Sequence, residues 1–139
     1  MITMQEVAEG ATLAEARGMT QEIGRAIAAV AGEEMSSGRL DTAREILQGL
    51  AVSNPHDPAT WAMLAVLERR LGKLLAARVC AETAYRLAPA DPQVRLVRAE
   101  VMLCRPDDRQ RAAEELRELV PGGGAVAERA RALLSALGR

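Results

Sequence analysis

The chain has 139 residues, of which 49 % are apolar but only two are aromatic, one Trp and one Tyr. This composition is typical of a single domain with a core of Ala, Leu, Val and Met, and it favours packed helices over a β-sheet. The net charge of −1, with acids and bases interspersed, argues against a nucleic-acid-binding surface, and no apolar run approaches the ~18 residues of a membrane span.

The first predicted element lies within residues 1–19, where residues 3–17 are expected to form a short helix. Gly18 is predicted to break this helix, and Thr20 is predicted to cap the next one. The segment has few apolar residues, so it is expected either to be loosely held or to dock on a partner. It lacks a basic region followed by a long apolar core, so no secretory signal is predicted.

A short motif then occurs twice, as PHDP at residues 55–58 and as PADP at residues 89–92. We call the distance in sequence between the two copies the repeat shift. The same shift also aligns Gly38 with Gly72 and Ala43 with Ala77. Apolar residues at helical spacing lie between these positions. Each unit is therefore predicted to be a helix, a short turn, a second helix and another turn, over residues 24–57 and 58–91.

The residues at the predicted turns have local physical roles. Gly38 and Gly72 are expected to end a first helix, since Gly tolerates the left-handed conformation. Asp57 is expected to cap the helix after the PHDP turn, with Pro58 in its first turn, where a missing N–H costs nothing. Ala43 and Ala77 are predicted to lie at close helix crossings.

A third, less regular unit is predicted over residues 92–121, with Pro106 where a Gly would be expected. The small residue that corresponds to Ala43 and Ala77 is Ala112 or Ala113 in this unit. The turn before it is therefore predicted to hold one extra residue. Residues 122–139 follow as a Gly-rich linker and an amphipathic helix. That helix is expected to cap the stack, because the end units of a solenoid need a polar outer face.

A helix–turn–helix period of about 34 residues is the signature of tetratricopeptide repeats, and the repeat shift of this chain has that length. The chain resembles the family at Trp61, Leu64, Gly72, Ala77, Ala84 and Pro89. The resemblance implies an all-α tetratricopeptide-repeat solenoid of three helical hairpins (residues 20–121) with N-terminal and C-terminal flanking helices. It also implies a concave face lined by the first helix of each hairpin.

In that family, ligands contact fixed positions on the first helices. The resemblance places the peptide-binding groove at Ala28, Gly32, Met35, Ala62, Val66, Arg69, Leu96, Glu100 and Leu103. Such a surface is mostly small and apolar, with one cation and one anion, and it suits an extended or helical peptide with small apolar anchors.

The layout of residues 20–137 also resembles the class II chaperones of type III secretion, which hold translocator proteins before export. The resemblance is carried by EEMSSGRLDTAREILQGLAVSNPHDP at residues 33–58 and by RAEVML at residues 98–103. It implies a cytoplasmic protein that holds an apolar segment of a client in its groove. It further implies a role for the N-terminal helix, within residues 1–19, in forming a homodimer or in contacting a partner subunit. A general tetratricopeptide scaffold or adaptor in another bacterial assembly or in a regulatory complex is the alternative, and the same residues would serve it.

The sequence offers little for catalysis, so an enzyme and a cofactor are not predicted. His56 is the only His, and the second repeat has Ala90 in its place. Cys80 and Cys104 are not in a CxxC pattern, so a metal site is not expected, and two free thiols fit a reducing compartment. The glycines at 122–124 lack the Lys-Ser/Thr continuation of a P-loop.

Overall fold

The computed structural model describes the backbone of residues 13–138 and the side chains of residues 21–138. Within these residues the chain is a succession of helices and turns, which confirms the predicted all-α class. The α-helices are α1 Leu13–Ser36, α2 Leu40–Ser53, α3 Pro58–Arg70, α4 Leu74–Leu87, α5 Pro92–Met102, α6 Arg109–Leu119 and α7 Gly124–Leu137. None of these helices is long and apolar enough to cross a lipid bilayer.

The turns of the first two hairpins have the predicted chemistry. Gly38 and Gly72 have φ angles of 80° and 77°, in the left-handed region that ends a helix at low cost only for Gly. The Asp57 carboxylate accepts a hydrogen bond from the backbone N–H of Ala59 at 3.0 Å, and Pro58 is the first residue of α3. Asp91 and Pro92 repeat this arrangement at the start of α5. The turn residues therefore set the helix boundaries locally.

The prediction for the N-terminal side was wrong in one respect. α1 runs without interruption from Leu13 to Ser36, so Gly18 does not end a helix and Thr20 does not begin one. A single Gly inside a helix costs only about 0.5–1 kcal/mol relative to Ala, and the remaining turns of this long helix outweigh that cost. The rest of the predicted N-terminal helix, residues 3–12, lies outside the described residues.

Each helix packs against the next one along the chain, and α3 also contacts α5. Ala43 and Ala77, predicted to lie at close crossings, are fully buried. The repeat shift takes the start of α2 to the start of α4, but from α4 it leads to Asp108, one residue before α6 begins. The extra residue lies in the turn that contains Pro106, and of the two candidates Ala112 and Ala113 it is Ala112 that is fully buried.

The apolar core has two parts. The larger cluster extends from Ala31 on α1 to Val101 on α5, and Leu47 and Leu67 are its largest fully buried side chains. The smaller cluster joins α5, α6 and α7 around Leu116 and Ala130. α7 therefore packs on the two helices of the third hairpin.

Candidate peptide-binding groove

The first helices of the hairpins, α1, α3 and α5, line one side of the stack. α3 contacts α5 directly, and α5 contacts α7. α1 and α3 approach each other at Gly32, where a Cβ atom would lie 4.0 Å from Cε of Met63. In a repeat solenoid these helices form a continuous concave surface, which is the usual ligand-binding face.

Five of the predicted groove residues lie on α1 and α3 and are partly accessible: Ala28, Gly32, Met35, Val66 and Arg69. The two apolar side chains Met35 and Val66 pack against the larger core cluster from the groove side. The wall between α1 and α3 is therefore apolar and firmly supported, with the guanidinium of Arg69 at one end of α3.

Two other predicted groove residues are nearly buried. Ala62 is 6 % exposed and Leu96 is 5 % exposed, because each packs into a core cluster of the stack. The expectation that these side chains offer a binding surface needs correction, since they can contribute only a small area to a ligand. Both side chains instead belong to the core beneath the first helices.

The remaining two predicted residues, Glu100 and Leu103, are partly covered by α7. Leu103 packs against the smaller core cluster together with residues of α7. The Glu100 carboxylate accepts hydrogen bonds from Nε and Nη2 of Arg129 at 3.0 and 2.7 Å. The predicted anion of the groove is thus neutralised by Arg129, a residue that no sequence motif indicates. α7 follows the third hairpin in the position that the first helix of a fourth hairpin would take. This position brings Arg129 beside α5.

A cleft of about 640 Å³ lies where α1 faces the end of α2 and the start of α3, and Ala28 is the predicted groove residue that lines it. Small residues of α1 and α3 form part of its wall, among them Gly24, Ala28 and Ala59. Arg25 and His56 add polar groups at its edge. Small side chains let a peptide backbone approach closely, so this cleft suits an extended segment.

Two kinds of reactive group can be assessed in the described residues, a metal cluster and a buried thiol. No group of three or more His, Cys, Asp or Glu side chains between residues 21 and 138 could hold a metal ion. Burial, followed by the nearby Glu68 carboxylate, raises the pKa of the Cys80 thiol to about 11. This thiol is therefore protonated near neutral pH, whereas a nucleophilic cysteine needs a lowered pKa. Cys104 is exposed, and both thiols are free.

Comparison with known proteins gives matches among solved structures only. No protein-family model and no curated protein sequence matches the chain. The type III secretion translocator chaperone SycD of Yersinia enterocolitica superimposes with a TM-score of 0.73 at 19 % identity, over 88 % of this chain and 96 % of SycD. PcrH of Pseudomonas aeruginosa superimposes with a TM-score of 0.71 at 22 % identity, over 85 % of this chain and 93 % of PcrH.

A third match is the first tetratricopeptide domain of Spaghetti (RPAP3) bound to an HSP90 peptide. It has a TM-score of 0.67 at 17 % identity and covers 84 % of this chain and 94 % of that domain. SycD is also matched in complex with a peptide of the translocator YopD, and PcrH in complex with the chaperone-binding region of PopD. At these identities the matches establish the fold, which is the predicted tetratricopeptide-repeat solenoid.

Proposed function

We propose that the chain is a cytoplasmic, non-enzymatic chaperone of type III secretion that holds an apolar segment of a translocator protein in its concave groove. The observation that carries the proposal is the superposition on SycD and PcrH over nearly their whole length, since both proteins have solved complexes with translocator segments. The small, apolar groove wall around Ala28 and Val66 is compatible with such a segment.

The groove makes a specific prediction for binding. A Val66→Glu substitution places a carboxylate on the apolar wall, where a bound apolar segment would exclude water from it. We expect the affinity for the client to fall at least about tenfold, which corresponds to about 1.4 kcal/mol. The measurement is co-purification and titration calorimetry with the membrane-active translocator encoded in the same host.

Val52→Glu is the matched control. Val52 lies on α2, a second helix, and is 84 % exposed, so the same chemical change should leave client binding intact. Thermal unfolding of both variants would show that they are folded. Equal client affinity for Val66→Glu and Val52→Glu would argue against the groove, and failure of the unmodified chain to bind the translocator would favour a general adaptor.

We also propose self-association at the N-terminal end of the stack, next to the predicted contact segment 1–19. Ile23, Ile27 and Val30 form a stripe on α1 and are 57 %, 38 % and 48 % exposed. The repeat shift superimposes Ile27 on Trp61 of α3, a helix that is covered by the preceding α2. No helix among the described residues covers α1 in the same way, so a second copy could bury the stripe.

Sedimentation equilibrium tests this interface. The double variant Ile27→Lys/Val30→Lys is expected to be monomeric at concentrations where the unmodified chain is dimeric, because the ammonium groups would be buried without partners. The control Val52→Lys should leave the dimer intact. A chain that is monomeric throughout, or a dimer that survives the double substitution, would contradict the proposal.

A further inference from the structure

The junction between successive hairpins occurs twice in the chain, and the two copies differ in charge. At the first junction Arg44 of α2 donates a hydrogen bond from Nε to the carboxylate of Glu68 on α3. Glu68 is 2 % exposed, and the ion pair forms part of the wall of a cleft of about 420 Å³ at this junction. The repeat shift superimposes Arg44 on Arg78 of α4 and Glu68 on Met102 of α5. The second junction therefore keeps the cation and loses the acid.

A cavity of about 240 Å³ lies at the second junction, where Met102 cannot pair with Arg78. Its wall is mostly apolar and includes Leu74, Leu75, Ala81, Val101 and Met102. This volume exceeds the ~150 Å³ of an apolar cavity known to admit benzene, so one large apolar side chain fits. None of the predicted groove residues lines the cavity.

Three arginines line the cavity, and Arg78 is the one that forms no ion pair with a described residue. Arg98 donates a hydrogen bond from Nε to the Glu82 carboxylate at 2.8 Å, and Arg105 lies 3.9 Å from the Asp108 carboxylate. Arg78 is exposed and forms no ion pair with any residue between 21 and 138. The cavity therefore presents an apolar wall and one cation that lacks a countercharge.

The surface next to the cavity has also lost acidic residues relative to the matching surface of the first hairpin, and apolar residues take their place. Leu75 is 76 % exposed and Val79 is 56 % exposed. The first hairpin has Asp41 and Glu45 at the corresponding positions, as expected for the exposed face of a helix. Exposed apolar residues that cluster beside a cavity indicate a protein-interaction site.

We infer that this cavity binds a segment of a partner protein that carries a large apolar side chain next to an acidic one. The apolar side chain fills the cavity against Met102 and Leu75. The carboxylate pairs with Arg78 in the way that Glu68 pairs with Arg44 at the first junction. The inference goes beyond the proposed function, because it gives the chain a second binding site on different residues from the groove.

The experiment uses the full chain and a short synthetic amidated peptide with Leu and Glu one helical turn apart on one face. Methyl and amide NMR spectra are recorded during the titration. We expect shifts at Leu75, Val79 and Met102, and at least about tenfold weaker binding of a peptide in which Gln replaces every Glu. Shifts confined to groove residues such as Val66, or equal affinity for both peptides, would overturn the inference.

Two variants test the charge argument. Arg78→Gln should weaken binding of the acidic peptide about tenfold, with Arg86→Gln on the same helix as the matched control. Met102→Glu should also weaken it, since the introduced carboxylate would pair with Arg78 within the chain. If Met102→Glu does not fold, Arg78→Gln still decides, and unchanged affinity in that variant refutes the site.

Two further outcomes separate this site from the other proposals. The groove variant Val66→Glu should bind the acidic peptide normally, so loss of client binding in the groove does not affect this test. If Leu75→Lys converts a dimer into a monomer, a second copy of the chain occupies the cavity and the inference is wrong.

Discussion

Leu67→Ala is expected to lower the free energy of unfolding by about 2–5 kcal/mol, the usual range for truncating a fully buried Leu. Leu67 has no accessible surface and lies in the larger core cluster, in the central hairpin. Its removal leaves a cavity among helices whose backbones are held in place from both sides. The measurement is urea unfolding followed by circular dichroism. A loss of this size is a large share of the ~5–15 kcal/mol that stabilises a typical domain.

The control for this truncation is Leu75→Ala on α4. Leu75 is 76 % exposed, so the same change should alter the free energy of unfolding by less than about 0.5 kcal/mol. Leu116→Ala provides a further contrast, because Leu116 is fully buried in the smaller cluster near the C-terminal end. In a stack stabilised by nearest neighbours, we expect this variant to expose the amides of α6 and α7 to hydrogen exchange first. Equal costs for Leu67→Ala and Leu75→Ala would contradict the described core.

The features that could be predicted from the sequence are those with local causes. The left-handed Gly72, the cap Asp57 and the buried Ala77 each follow from the chemistry of one residue and its neighbours. Repetition at a fixed period then makes each local signal visible twice. The hairpins and their order could therefore be predicted without any knowledge of long-range contacts.

The features that were missed or wrong depend on contacts between distant segments. Arg129 pairs with Glu100, which lies far earlier in the chain, and nothing near either residue indicates the other. The burial of Ala62 and Leu96 depends on how closely neighbouring first helices pack, which a repeat pattern does not specify. At Gly18, a local signal was outweighed by the length of the helix around it. The repeat pattern therefore predicts which residues lie on the first helices, but not which of them are accessible.

Arg44→Ala is expected to lower the free energy of unfolding by about 2–3 kcal/mol. Removing one partner of a fully buried ion pair costs about 3–5 kcal/mol, and the figure is reduced here because the Arg44 side chain is 31 % exposed. The Glu68 side chain is only 3 % exposed, and its Oε2 atom is buried without a hydrogen-bond partner. Without Arg44, the carboxylate would lose its countercharge while its side chain stays almost entirely buried.

Replacing Glu68, the other partner of the ion pair, should lower the free energy of unfolding much less. Glu68→Met introduces the residue found at the corresponding position of the next hairpin, Met102, and Arg44 can still extend its guanidinium to water along its aliphatic stem. We expect a cost below about 1 kcal/mol for Glu68→Met and for the double variant Arg44→Ala/Glu68→Met, since no buried charge remains in either. A double-mutant cycle measured by urea unfolding, with Arg86→Ala as the exposed control, gives the coupling energy. Strictly additive costs would show that the carboxylate is not held by Arg44, and would also remove the basis for comparing the first junction with the second.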